Sequence, residues 1–284
     1  MPKHTFKKFE RNQAPPRFRI GKIDLQILKD LTSYRFLDTK QILTLHPDYS
    51  ARTVRSRLQL LFHSGYVERP SGQFSFYEHQ HLIYALAKKG AALVSQDKVL
   101  PPVTTKRPNE MGVSFMRHSL MISNFQAALR LALEKTEGFR LAVWRDLGAI
   151  DAVHCEGERM PIAPDAFFTI ESKKYFMHFF FEADRSTMAM DRMLNKFKGY
   201  WNWKLEDGQK RKLDISNFRV LTVCLSDERA QHLRRIAAKA NGKETGSDMF
   251  WFACEKSFSL QNPESILTPI WRSAKGEGLR QLLE

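Results

Sequence analysis

The stretch Pro164–Asp184, PDAFFTIESKKYFMHFFFEAD, decides how the larger part of this chain reads. Residues 166–170 and 175–183 are aromatic and apolar runs of strand length, and Glu171, Ser172, Lys173 and Lys174 between them have the character of a tight turn. With the tip between Lys173 and Lys174, antiparallel pairing sets Asp165 opposite Glu182. Side chains alternate along a strand, so Asp184, two residues on, shares a face with Glu182. Three carboxylates are therefore expected at one sheet end, and such a cluster is costly unless a cation neutralises it. An oxygen-only set of Asp165, Glu182 and Asp184 suits Mg²⁺ or Mn²⁺ as the metal, with waters completing the octahedron. A metal there would polarise a phosphate and lower the pKa of an attacking water. The next segment, TMAMDRMLNKFKGYWNWK (187–204), reads as a helix that brings Lys196 over the same site, to hold a phosphate oxygen or the nucleophile. A structural reading competes, in which the carboxylates cap strand ends or pair with Arg185 and Arg192.

Outward from the hairpin, an amphipathic helix is expected over 115–134, strands over 140–145, 218–225 and 249–253, and a helix over 227–240. The segment PESILTPIW (263–271) is expected to close the unit as a helix or loop that packs Trp271 down. This order predicts an α/β (α+β) sandwich around a mixed sheet. Between Ser95 and Gly112 the periodicity is lost and Pro101, Pro102 and Pro108 appear, the marks of a linker. Two domains follow, 1–105 and 106–284.

The first domain reads as three helices and a hairpin. Ile23, Ile27, Leu28 and Leu31 make one helical stripe; Asp38 or Thr39 caps a short second helix that Pro47 stops. In the third, Ser50 is a good N-cap, Val54, Leu58, Leu61 and Phe62 form the apolar stripe, and Gly65 ends the helix. A strand at 66–68, a turn at Pro70 to Gly72, a return strand at 74–77 and a final strand and helix complete a winged helix-turn-helix. Arg52, Thr53, Arg55, Ser56, Arg57 and Gln59 would then offer donors to base edges of duplex DNA, with Arg17, Arg19, Lys22 and Arg69 on phosphates. A protein-docking winged helix with a solvated basic face is the alternative.

Composition agrees with a globular nucleic-acid partner. The 284 residues carry 45 Lys and Arg against 31 Asp and Glu, a net charge of +14 that favours polyanions, and more than half of the excess falls in residues 1–105. Three isolated cysteines, Cys155, Cys224 and Cys254, give neither a disulfide framework nor a zinc motif. The most apolar run, Tyr175 to Phe181, is far too short to span a membrane, and the start of the chain has no apolar run behind its basic residues, so a cytoplasmic location is expected. No phosphate-binding glycine loop suggests a nucleotide cofactor. Trp201, Trp203, Trp251 and Trp271 read as core, and His118 as a packed histidine of the opening helix.

The P-D…E-x-D pattern across a hairpin resembles the PD-(D/E)xK nuclease core. The longer string of His118, PDAFF, FFFEADRST, a helix with Lys196 and Tyr200, FRVLTVCLSDERAQHL and PESILTPIW resembles the plasmid replication-relaxation family, which includes MobC-type relaxases. The resemblance implies a mobile-element protein that recognises a duplex site and nicks or relaxes it as a metal-dependent endonuclease, alone, as a homodimer or in a larger assembly. It departs from the common nuclease pattern at Asp184, where that pattern has lysine, so the catalytic lysine must come from elsewhere, Lys196 being the candidate. The alternative is a sequence-specific regulator of transcription or replication whose nuclease-fold domain is inactive and serves dimerisation or docking.

Overall fold

The computed structural model describes residues 8–15, 17–73, 81–95, 111–146, 162–243 and 245–284. Contacts divide the chain into two units, 1–124 and 125–284. The division falls inside one helix, whereas the boundary expected between 105 and 106 lies outside the described residues, as do Cys155 and the return strand expected at 74–77.

In the first unit the elements are α1 (Lys22–Ser33), β1 (Leu37–Asp38), α2 (Thr39–Leu45), α3 (Ala51–His63), β2 (Val67–Glu68), β3 (Ile83–Leu86) and α4 (Lys88–Val94). Local chemistry sets the ends. Asp38 caps α2 by accepting from the Gln41 amide at 2.7 Å while the Gln41 side chain accepts from the Asp38 amide at 2.9 Å. Ser50 caps α3 by accepting from the Thr53 amide, and Gly65, at φ +80°, closes it. Its amide donates to Phe62 and the Tyr66 amide to Leu61, the Schellman pairing that needs a left-handed residue at this point. Ile27, Leu28, Val54, Leu58 and Leu61 are fully buried and form the shared core of α1 and α3. The strands pair antiparallel in the order β1-β3-β2, so the partner of β2 is Ile83–Leu86.

The helix α5 (Val113–Glu134) carries Met116 into the first unit's core with Phe36, Ile83 and Ala85. In the second unit follow β4 (Phe139–Asp146), β5 (Ala166–Ser172), β6 (Phe176–Asp184), α6 (Met190–Leu205), α7 (Gly208–Leu213), β7 (Arg219–Cys224), α8 (Asp227–Ala237), β8 (Phe250–Cys254), β9 (Trp271–Ser273) and β10 (Leu279–Arg280). One mixed sheet runs β10-β9-β8-β7-β6-β5-β4, parallel only at β6–β7 and β7–β8. Parallel pairing needs a crossover, and the helices α6 and α8 supply it on one face. Even-numbered residues of the central strands meet those helices: Phe180 packs on Tyr200, Trp203 and Phe218, and Phe197 on Phe250 and Phe252. Odd-numbered residues face the other way, where Phe181 stacks on Phe125 at 4.1 Å. This is why β6 reads as an unbroken apolar run: both its faces are covered. Trp203, Trp251 and Trp271 are core residues. The closing segment is a 3₁₀ turn, Pro263–Leu267, and Trp271 then opens β9, so the sheet gains two strands that periodicity alone does not reveal. No helix among the described residues is long and apolar enough to cross a membrane.

Candidate functional site

The β5–β6 hairpin turns as expected. The Ser172 amide donates to the Tyr175 carbonyl, and Ser172 Oγ accepts from the amides of Lys174 and Tyr175. Ala166 pairs with Phe181 and Glu171 with Phe176, a register that, continued one residue past β5, sets Asp165 opposite Glu182. At that position the Asp165 amide donates to Phe181 O, and its Oδ2 accepts from the Ala183 amide at 2.8 Å.

Glu182 is buried, and both its oxygens are engaged by one face of α6. Lys196 Nζ forms an ion pair with Oε2, and Tyr200 Oη donates to Oε1 at 2.5 Å. Lys196 and Tyr200 stand four residues apart, which stacks them one turn above the other. Burial pushes the Glu182 carboxyl up to about 7; Lys196 pulls against that, Asp165 adds to it, and the hydrogen bonds from Lys196 and Tyr200 resist it. For Lys196 burial disfavours the ammonium, but Glu182, Asp165 and Asp184 outweigh it and its pKa lies above the ordinary value. Burial and Glu182 raise the Tyr200 phenol well above its usual range, so it stays a donor.

These shifts have a measurable consequence. Because Glu182 binds its proton more tightly in the folded protein, the stability it contributes is complete below about 4.5 and is lost as pH rises through about 7. In EDTA, the melting temperature of wild type relative to Glu182→Gln is expected to fall across that window, by an amount worth on the order of 3 kcal/mol. A pH-independent difference between the two proteins would show that the carboxyl titrates normally.

Asp184 lies on the same face but belongs to a different contact. Arg229 binds it through both oxygens, Nε to Oδ2 at 2.6 Å and Nη2 to Oδ1 at 3.1 Å, and reaches on to Met188 O at 2.8 Å. Asp184 is buried and Arg229 half-buried. The structure thus brings Asp165, Glu182 and Lys196 together and pairs Asp184 with Arg229. Among the described residues no three His, Cys, Asp or Glu side chains gather closely enough to hold an ion. Arg185 and Arg192, the partners of the structural reading, are not what Glu182 or Asp184 bind. Sequence reasoning missed Arg229. The available signal was Ser226-Asp-Glu-Arg, in which Ser226 caps α8 by accepting from the Arg229 amide and so fixes that residue at the helix start.

In the first unit Arg52, Thr53, Arg55 and Ser56 are exposed on α3, as Arg17, Arg19 and Lys22 are ahead of it. Two expected contacts are corrected. Arg57 forms a bidentate pair with Asp24, which is fully buried, donates to Arg19 O, and lies over the Phe18 ring. Arg69 is 7% exposed, with its guanidinium over Phe62 and Tyr84 and a hydrogen bond to Lys8 O. Both arginines are built into the core's rim, because an apolar ring and a carboxylate or carbonyl satisfy a guanidinium locally.

The fold and site define an α/β protein whose central hairpin carries a buried carboxylate–lysine–tyrosine group, joined to a small helical unit with a basic helix face. The chain belongs to the replication-relaxation family, whose model matches residues 28–213. Among solved structures it is similar to the restriction endonuclease FokI, at 11% identity and a TM-score of 0.31 over 85% of this chain and 43% of that one. It is similar also to FokI bound to DNA, at 11% identity and a TM-score of 0.28 over 84% and 44%. The chain thus spans less than half of either, and a likeness at this level assigns no activity. No curated protein matches the sequence.

Proposed function

We propose that this chain is a DNA-processing protein of a mobile element, in which the first unit is a winged helix that reads a duplex and the second hydrolyses a phosphodiester bond with Mg²⁺ or Mn²⁺. The observation that carries the reading is the lysine ammonium held against a buried glutamate beside a second carboxylate at a hairpin end.

The residues present fit a hard divalent cation. Asp165 and Glu182 offer oxygens only and stand opposite each other at the hairpin end, the ligand chemistry that a hard divalent cation takes. Two carboxylates are also the usual protein share of a Mg²⁺ site that takes substrate phosphate and water for the rest. When bound, the metal supplies Lewis-acid polarisation of the phosphate and a more acidic water. Asp165, pinned by the Ala183 amide, and Glu182, oriented by Tyr200, would hold it. Lys196, on a helix and partly exposed, exchanges Glu182 for a phosphate oxygen, one anionic partner for another, and so keeps its proton throughout.

Binding is carried by Arg52, Thr53, Arg55 and Ser56, with Arg17, Arg19 and Lys22 on the backbone. Arg52→Ala and Arg55→Ala are each expected to weaken specific duplex binding by about 1–3 kcal/mol where the arginine meets a base, and to lower the salt slope where it meets a phosphate. Arg57→Met is expected to act differently: it leaves Asp24 buried without its partner, so the melting temperature falls before binding does. Unchanged affinity and salt dependence in both alanine variants would remove the DNA-reading role of α3. Nicking of a supercoiled plasmid carrying the element's origin region, in Mg²⁺ or Mn²⁺ against EDTA, tests the hydrolytic half. Footprinted binding with no metal-dependent nick would leave a regulator with a nuclease-derived scaffold, the reading favoured by the Arg229 clamp on Asp184.

A further inference from the structure

The sheet carries a further polar group beside Glu182 that the proposed mechanism does not use. Thr222 of β7 is the direct register partner of Glu182 across the parallel β6–β7 pair. Residues in register on neighbouring strands point to the same face at about 5 Å. Here that face is the one under α6, since Phe180 and Val220, two residues before each of them, lie in the core with Phe197 and Tyr200. Thr222 is 0% exposed, and its Oγ1 has no hydrogen-bond partner among the described residues. A buried hydroxyl in that condition is costly, and valine has the same shape and would serve the core better. Asp165 just ahead of β5, Glu182 of β6 and Thr222 of β7 therefore form a polar row, with both Glu182 oxygens taken by Lys196 and Tyr200.

We infer that Thr222 is a positioning residue for Glu182: when Lys196 leaves Oε2 to meet a substrate phosphate, the Thr222 hydroxyl donates to the carboxylate and holds it in place. The step exchanges one hydrogen bond for another and moves no proton between residues. It rests on the nuclease reading and adds to it a residue that touches neither metal nor DNA.

The test uses the full chain as wild type, Thr222→Val and Thr222→Ser, with plasmid nicking in Mn²⁺ and melting in EDTA and in Mn²⁺. Thr222→Val is expected to melt in EDTA at or above the wild-type temperature, because an unpartnered hydroxyl has been removed. Its nicking rate is expected to fall roughly ten- to a hundredfold, the worth of one hydrogen bond to a charged group. Its Mn²⁺-induced rise in melting temperature shrinks, and Thr222→Ser restores rate and rise together. A Thr222→Val protein that nicks like an active wild type overturns the inference alone. One that melts several degrees lower in EDTA overturns it too, since the hydroxyl would then already be partnered in the resting fold. A wild type that does not nick removes the nuclease reading, and this inference with it.

Discussion

Asp165→Asn is expected to abolish metal-dependent nicking while leaving the fold and duplex binding intact. The substitution keeps the side-chain carbonyl oxygen that accepts from the Ala183 amide, so the turn into β5 survives. It removes the negative charge that, with Glu182, gives a divalent cation its place. It also removes one of the influences that raise the Glu182 pKa, so Glu182 should ionise at lower pH in the variant. Lys196→Met is the companion change. It deletes the cation that the described residues place on Glu182 and is expected to lower the nicking rate by about 10²–10³, the scale of losing one preorganised electrostatic contact. Activity retained in Asp165→Asn would move the chemistry away from this hairpin altogether.

The largest effect on stability is expected from Arg229→Met. Arg229 ties three pieces of chain together: Asp184 at the end of β6, the Met188 carbonyl before α6, and the start of α8. Removing the guanidinium leaves Asp184 charged and buried, a loss of about 3–5 kcal/mol when one partner of a buried pair is deleted. For a unit of this size that is a drop of roughly 10 °C in melting temperature. The double variant Asp184→Leu/Arg229→Met is expected to recover most of it, because what costs is the orphaned charge and not the absence of the pair. A single variant that melts with wild type would show that Asp184 finds another cation. Since Met188 lies two residues before α6, the single variant is also expected to slow nicking through Lys196, which that helix carries.

Much of the hairpin was legible because it depends on local facts. Continuous aromatic runs of strand length, a polar four-residue turn and a register set by its tip place Asp165 beside Glu182 without knowledge of anything farther away. Lys196 was reachable for a similar reason, since a helix must follow β6 if β7 is to lie parallel to it. Less was visible wherever a residue's partner comes from a distant segment. Arg57 and Arg69 look like free cations in sequence, and only the approach of α1, Phe18, Phe62 and Tyr84 turns them into packed ones. Asp184 looks like a third metal ligand until α8 arrives with Arg229, 45 residues later. The strand β9 was hidden because three residues carry too little periodicity to announce themselves.

By itself, then, the sequence determined most of the helices and strands as far as β8, the caps of α2 and α3, and the hairpin register. Each of these follows from residues within one turn or one hairpin of each other. Only the tertiary structure decided which charges are spent on folding and which remain for chemistry: Arg57 and Arg69 were packed at the core's rim, Asp184 went to Arg229, and Asp165, Glu182, Lys196 and Tyr200 were gathered at one sheet end. A charge's role depends on what lies within a few ångströms of it, and for these residues those neighbours come from β-strands and helices far apart in the chain.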